Sequence, residues 1–127
     1  MKSRLIKSLM ATCMVGAASA GLLTSTAHAS SPTTDCREAL NDIEESSGIC
    51  FWSEQDFRGT LSVRANPAGT ETCGNLNPPA KSAVNLTDHD RFLYQFKNCK
   101  EGNFETVIEP YEAVSEIGLN ASAGSWR

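Results

Sequence analysis

The 127-residue sequence predicts a small, mainly β sandwich with one short helix in front, held by two disulfides and exported from the cell. Three observations point there. A basic, then apolar leader opens the chain, an even set of cysteines follows it, and short apolar–polar alternations separated by turn residues fill the remainder.

The leader occupies residues 1–29. Lys2, Arg4 and Lys7 form its basic start, residues 9–23 are almost all apolar or small, and Ala27-His28-Ala29 gives a small-x-small cleavage pattern that would place the mature N-terminus at Ser30. Gly16, Ser19 and Gly21 interrupt the apolar run, leaving it short of the roughly 20 strongly apolar residues that a membrane span needs. Met10-Ala11-Thr12 is a poor lipoprotein signal ahead of Cys13, so that cysteine is expected to leave with the leader. Removing 29 residues from 127 leaves 98, one domain's worth. The leader holds three of the 11 basic residues and none of the 15 acidic ones, so the mature chain keeps 8 against 15, a net charge of −7. That balance argues against nucleic acid and anionic membranes as partners and suits a basic protein surface or a cation, besides plain solubility.

Cys36, Cys50, Cys73 and Cys99 remain in the mature chain, with no C-x-x-C pair and a single histidine, His89, a poor basis for zinc. Four cysteines allow three pairings. Cys36–Cys50 with Cys73–Cys99 is favoured: the first would staple the helix to the first strand, the second would close a longer loop within the sheets. Each closure is worth about 3 kcal/mol on chain-entropy grounds.

Residues 30–48 read as a polar leader (30–34) and a short helix. Asp35 and Glu38 form a cap-and-N3 pair, and Cys36, Ala39, Leu40 and Ile43 share one helical face. Glu44 and Glu45 oppose the helix dipole at its end, and Ser46-Ser47-Gly48 stops it. Residues 49–127 read as the β domain. Residues 49–52 form a short apolar strand. Residues 60–65 alternate, with Leu61 and Val63 on one face, and residues 66–69 turn. Residues 75–79, with two prolines, read as a loop that could not join a central strand. Residues 82–86 form a strand. Another spans 91–96, with Phe92, Tyr94 and Phe96 on one side. Residues 103–108 follow, aligning Phe104, Thr106 and Ile108, and Pro110 ends them. Residues 111–119 carry Tyr111, Val114 and Ile117 at the spacing of a helical turn. The tail is small and polar until Trp126, which reads as a lid on the core.

One spacing is more specific than the rest. Trp52 and Phe57 have four residues between them, with Gly59 beyond, in Trp52-Ser53-Glu54-Gln55-Asp56-Phe57-Arg58-Gly59. Two aromatics can pack on either side of a hairpin that folds back over its sheet, with Gly59 supplying a positive φ that a Cβ would oppose. Ser82 would then hydrogen-bond the folded hairpin and pin it. A blurred second copy begins around residues 92–96, with Cys99 near the second aromatic position, Gly102 in the glycine slot and Ser125 as the closing serine. This pattern resembles the Greek key of βγ-crystallins. From about residue 49 to 126 the chain resembles peptidase inhibitor family thirty-six, secreted actinobacterial βγ-crystallin-like proteins typified by a streptomycete metalloproteinase inhibitor. Cys50-Phe51-Trp52, Phe57-x-Gly59, Cys73, Ser82-x-x-Asn85, and an aromatic strand followed by Cys99 and Gly102 carry the resemblance. It implies a secreted inhibitor of an extracellular peptidase, with a metallopeptidase as the class that the typifying member suggests. It transfers no reactive-site residue.

The same fold implies calcium, through an Asn/Asp-Asn/Asp-x-x-Ser/Thr-Ser loop. Residues 77–82 and 120–125 fit only at their ends, Asn77 with Ser82 and Asn120 with Ser125, and Lys81 places a cation where a ligand belongs. Calcium wants six to eight oxygens, so no cofactor is expected. Asp88-His89-Asp90 reads as a polar turn, since adjacent side chains point apart in extended chain. Asn85-Leu86-Thr87 and Asn120-Ala121-Ser122 are glycosylation sequons, expected to be silent. No nucleophile–base set or phosphate loop is present, so the chain is expected not to be an enzyme. The leading function is occlusion of an extracellular peptidase by a monomer. The candidate inhibitory loop spans residues 66–79, stiffened by Pro67, Pro78, Pro79 and Cys73, with Asn75 and Leu76 as test positions. The alternatives are a calcium-stabilised structural protein and a secreted antimicrobial on the same fold.

Overall fold

A computed structural model describes residues 30–65, 72–100, 105–118 and 121–127. The segment read as a signal peptide, the turn at 66–69, Phe104, Gly102 and Asn120 lie outside the described residues.

Helix α1 (Pro32–Asp42) opens the described chain. Its N-cap is Ser31, whose hydroxyl accepts from Thr34 N at 3.2 Å, and Pro32 takes the first turn, where a missing N–H costs nothing. The helix therefore starts three residues before the Asp35 cap read from the sequence, and Asp35 lies in the first turn. Eight strands follow: β1 (Gly48–Glu54), β2 (Arg58–Ala65), β3 (Gly74–Ala80), β4 (Ser82–Leu86), β5 (Arg91–Tyr94), β6 (Glu105–Ile108), β7 (Ala113–Val114) and β8 (Ala123–Trp126).

They form two four-stranded sheets, ordered β2-β1-β4-β7 and β3-β8-β5-β6. The two orders are equivalent. In each, a hairpin pair is joined by the fourth strand of its own half, and the sheet is completed by the third strand of the other half. Each half thus lends one strand across the sandwich, giving a fold of two Greek keys. The halves differ in length: β1 and β2 run 7 and 8 residues, β5 and β6 run 4 each.

Ile49, Phe51, Leu76, Ala83, Leu93, Ile108, Ile117 and Trp126 fill the space between the sheets. Phe51 and Trp126 meet with ring centroids 5.8 Å apart. The first sheet is buried on its other face too. There Cys50, Trp52, Val84 and Leu86 pack with Cys36 and Leu40 of α1, with Phe57, Leu61 and Val63 beside them. Two-sided burial explains why β1 reads as an apolar run at residues 49–52 and why all five residues of β4 are buried. At Gly48 a Cβ would strike the Arg64 carbonyl and the Leu40 side chain, so its absence lets α1 sit directly on the sheet. The disulfides are Cys36–Cys50, tying α1 to β1, and Cys73–Cys99, tying the start of β3 to the end of the β5 segment.

Four sequence readings are corrected by this arrangement. Residues 75–79 belong to β3, an edge strand whose pairing with β8 is interrupted between Asn75 and Ala80, so Pro78 and Pro79 remove no central ladder bond. The strand read over residues 91–96 ends at Tyr94, and its three aromatics differ in burial: Tyr94 is buried beside Leu93, Phe92 is half-buried and Phe96 is exposed. The described residues of the segment read as a helical turn, 111–118, contain β7 instead, because Ala113 and Val114 pair with β4. The tail contains β8, which lies between β3 and β5 and is wholly buried. Trp126 is accordingly a core residue within a strand.

Candidate functional site: two pinned hairpins and the edges they hold

The first hairpin folds as its spacing requires. Trp52 and Phe57 meet edge to face, 5.4 Å between centroids. Asp56 and Phe57 take positive φ (55° and 56°), and Gly59 takes +82°, where a Cβ would collide with Ser53 Oγ. Ser82, fully buried, accepts from Phe57 N at 3.1 Å and donates to Glu54 O at 2.6 Å. The second half repeats this. Asn98 and Cys99 take positive φ (61° and 50°), and Ser125 accepts from Cys99 N at 2.9 Å and donates to Phe96 O. Trp52 is registered opposite Ser82, and Tyr94 opposite Ser125. Cys99 thus stands where Phe57 stands, and a covalent bond to Cys73 takes the place of an aromatic contact.

That substitution builds a rigid exposed edge. Asn75 Nδ2 donates to Asn98 Oδ1 at 2.9 Å, and Asn98 N donates to Asn75 Oδ1 at 2.7 Å. With Cys73–Cys99 these bonds lock the start of β3 to the turn at 97–99. Asn75, Asn77, Pro78, Pro79, Phe96 and Lys97 are exposed around the lock. Leu76 is not: it is 1% exposed and belongs to the core, because alternation along β3 turns it inward between Asn75 and Asn77. Leu76 is therefore corrected from a candidate contact to a packing residue.

The hydroxyls of Ser82 and Ser125 each both donate and accept within their own hairpins, and Asn77 lies exposed on β3. The described members of the two calcium-type loops therefore do not assemble an oxygen cage. Asp88, His89 and Asp90 are exposed, as the turn reading expects. The His89 ring, 2.5 Å from Asp88, holds that carboxyl below its ordinary pKa.

A buried polar network lies below that turn, and the sequence reading missed it. Asn85 Nδ2 reaches His89 O (2.8 Å), Ile108 O (3.1 Å) and Glu109 O (3.0 Å), and its Oδ1 accepts from Thr87 N and Thr87 Oγ1. Arg91 Nε donates to Thr87 Oγ1, and the guanidinium lies 5.8 Å from the Trp126 ring centroid. Burial pushes the Arg91 pKa down, an effect that Asp88 opposes. Asn85 and Thr87 look like a sequon in sequence; the signal of their role is a polar residue within the short strand β4 and another just past its end, both followed by a polar turn.

A family model described as peptidase inhibitor family I36 matches residues 45–107. The chain is similar to this family over that span. The matched span begins after α1, includes Trp52, Phe57, Gly59, Ser82 and Cys99, and ends within β6. Among curated proteins none matches the chain. Solved structures resemble it, two of them as follows. One is the fifth crystallin domain of the non-lens protein Absent in melanoma 1, 22% identical with a TM-score of 0.49, covering 64% of this chain and 86% of that one. The other is Hahellin, a βγ-crystallin, 15% identical with a TM-score of 0.43, covering 64% and 89%.

Proposed function

We propose that this chain is a member of that inhibitor family, is exported, and blocks an extracellular peptidase by occluding its cleft with preorganised surface. The observation that carries the reading is the lock on the β3 edge, where a disulfide and two amide hydrogen bonds hold exposed residues in one conformation. Binding penalises every side chain and loop that must be ordered on docking, so a segment already fixed retains more of its contact energy. An edge strand also offers unpaired backbone groups, which an extended peptide groove can accept as it accepts substrate. Two disulfides suit an oxidising compartment. No helix among the described residues is long and apolar enough to cross a membrane.

The test expresses the full chain and recovers protein from the medium. Its mass is expected to correspond to a start at Ser30. The oxidised protein is then titrated against secreted metallo- and serine peptidases. Stoichiometric inhibition of one class supports the reading. Asn75→Ala, which breaks the amide pair, is expected to weaken inhibition about tenfold while leaving the fold intact. Unchanged inhibition in that variant would remove the edge from the contact surface.

A further inference from the structure

Among the described large hydrophobic side chains Tyr111 is the most exposed, at 67%. It sits at the third position of a turn, Glu109-Pro110-Tyr111-Glu112, closed by Glu112 N donating to Glu109 O at 3.2 Å. Its φ is +60°, a left-handed conformation that a bulky residue adopts only under strain. Glycine or asparagine ordinarily fills a third turn position of positive φ behind proline. No packing gain offsets the strain, because the ring points to solvent.

The turn is also held from below with unusual completeness. Glu109 N donates to Glu112 Oε2 at 2.8 Å. Asn85, 0% exposed, fastens both ends: its N donates to Glu112 O at 2.9 Å and its Nδ2 to Glu109 O at 3.0 Å. The same Nδ2 binds His89 O, so the loop carrying exposed Asp88 and Asp90 is fixed beside the turn. The outcome is a rigid aromatic projection, with two rotatable side-chain bonds and four carboxylates on the two loops that flank it. Tyrosine of this kind anchors interfaces at low entropic cost.

We propose that Tyr111 is an anchor for the target peptidase, entering an apolar pocket with a basic rim. The inference rests on the inhibitor reading and adds a contact residue and the chemistry of the site that receives it. The turn lies past the span matched by the family model, which ends at residue 107. Glu109 and Glu112 beside the ring, with Asp88 and Asp90 on the neighbouring loop, favour a cationic rim and speed encounter with it.

The experiment compares exported wild-type protein with Tyr111→Ala, Tyr111→Gly and Tyr111→Phe against whichever panel peptidase the wild type inhibits, and records melting temperature for each. Tyr111→Ala and Tyr111→Gly are expected to raise the inhibition constant about ten- to hundredfold, and Tyr111→Phe to leave it nearly unchanged. Tyr111→Gly relieves the left-handed strain, so its melting temperature is expected to hold or to rise by about 2–6 °C. Weaker inhibition at undiminished stability separates contact from fold. Asp88→Asn with Asp90→Asn is expected to slow association and flatten its salt dependence. Wild-type inhibition constants in Tyr111→Ala and Tyr111→Gly overturn the anchor and leave the inhibitor reading standing. A wild type that inhibits no peptidase overturns both.

Discussion

Ser82 and Ser125 are two hydroxyls doing the same work in two halves of one molecule. Each is fully buried, accepts a backbone N–H from its folded hairpin and returns its proton to a carbonyl three residues earlier. Alanine at either site leaves a buried donor and acceptor without partners, which costs about 1–3 kcal/mol. Urea denaturation is expected to show losses of similar size for Ser82→Ala and Ser125→Ala, because the two geometries match. A loss confined to one would mean that only that hairpin depends on its pin. Ser82 was legible in the sequence because Trp52, Phe57 and Gly59 announced the hairpin it serves. Ser125 was legible only faintly, because Cys99 replaces the second aromatic of the hairpin it serves. Asn85 shows the opposite limit. Its local sequence spells a glycosylation site, yet its side chain is 0% exposed and bonded to three carbonyls. Expression in a glycosylating host should leave Asn85 unmodified, as intact-mass analysis of its peptide would show. A glycan there would contradict the described packing.

Helix α1 is the element whose placement the sequence explains least and the sheets need most. Only Cys36 and Leu40 of its eleven residues are buried, so the helix gains little from its own face. It covers the outer face of the first sheet, and Cys36–Cys50 holds it there. Leu40→Ala is expected to destabilise the protein by about 2–5 kcal/mol, as for other buried leucines. Replacing both Cys36 and Cys50 with serine should loosen the helix and admit water to Trp52. A red-shifted tryptophan emission would report that change, and an unshifted one would mean that the apolar contacts hold α1 unaided. The Asp35–Glu38 pair drew the predicted start too far along the chain because Ser31-Pro32 signals a helix start through φ restriction, without an acidic cap. Strand β8 escaped notice for a related reason. Ala123, Gly124 and Ser125 have little β propensity, and the strand exists through its neighbours β3 and β5. Pro78 and Pro79 were rightly read as excluded from a central strand, but an edge strand tolerates them.

At the scale of the whole molecule, the two Greek keys are equal in topology and unequal in finish. The first is long, aromatic at its hairpin and roofed by a helix. The second is short and replaces the aromatic with a cystine that locks the β3 edge. The fold class was legible as a whole because alternation, turns and cysteine parity all agreed, and the favoured pairing of the cysteines is the one observed. The exchange of β3 and β7 between sheets was not, since nothing local tells a strand which sheet to join. Under the proposed function, this rigid, cross-linked surface blocks a peptidase cleft. A titration of the exported, oxidised protein against secreted metallo- and serine peptidases, read as residual activity against molar ratio, tests this. Blocking gives a linear fall to zero near one inhibitor per enzyme for one peptidase class, with the inhibitor recovered folded. Full activity at molar excess, with the protein folded and its disulfides intact, would contradict it.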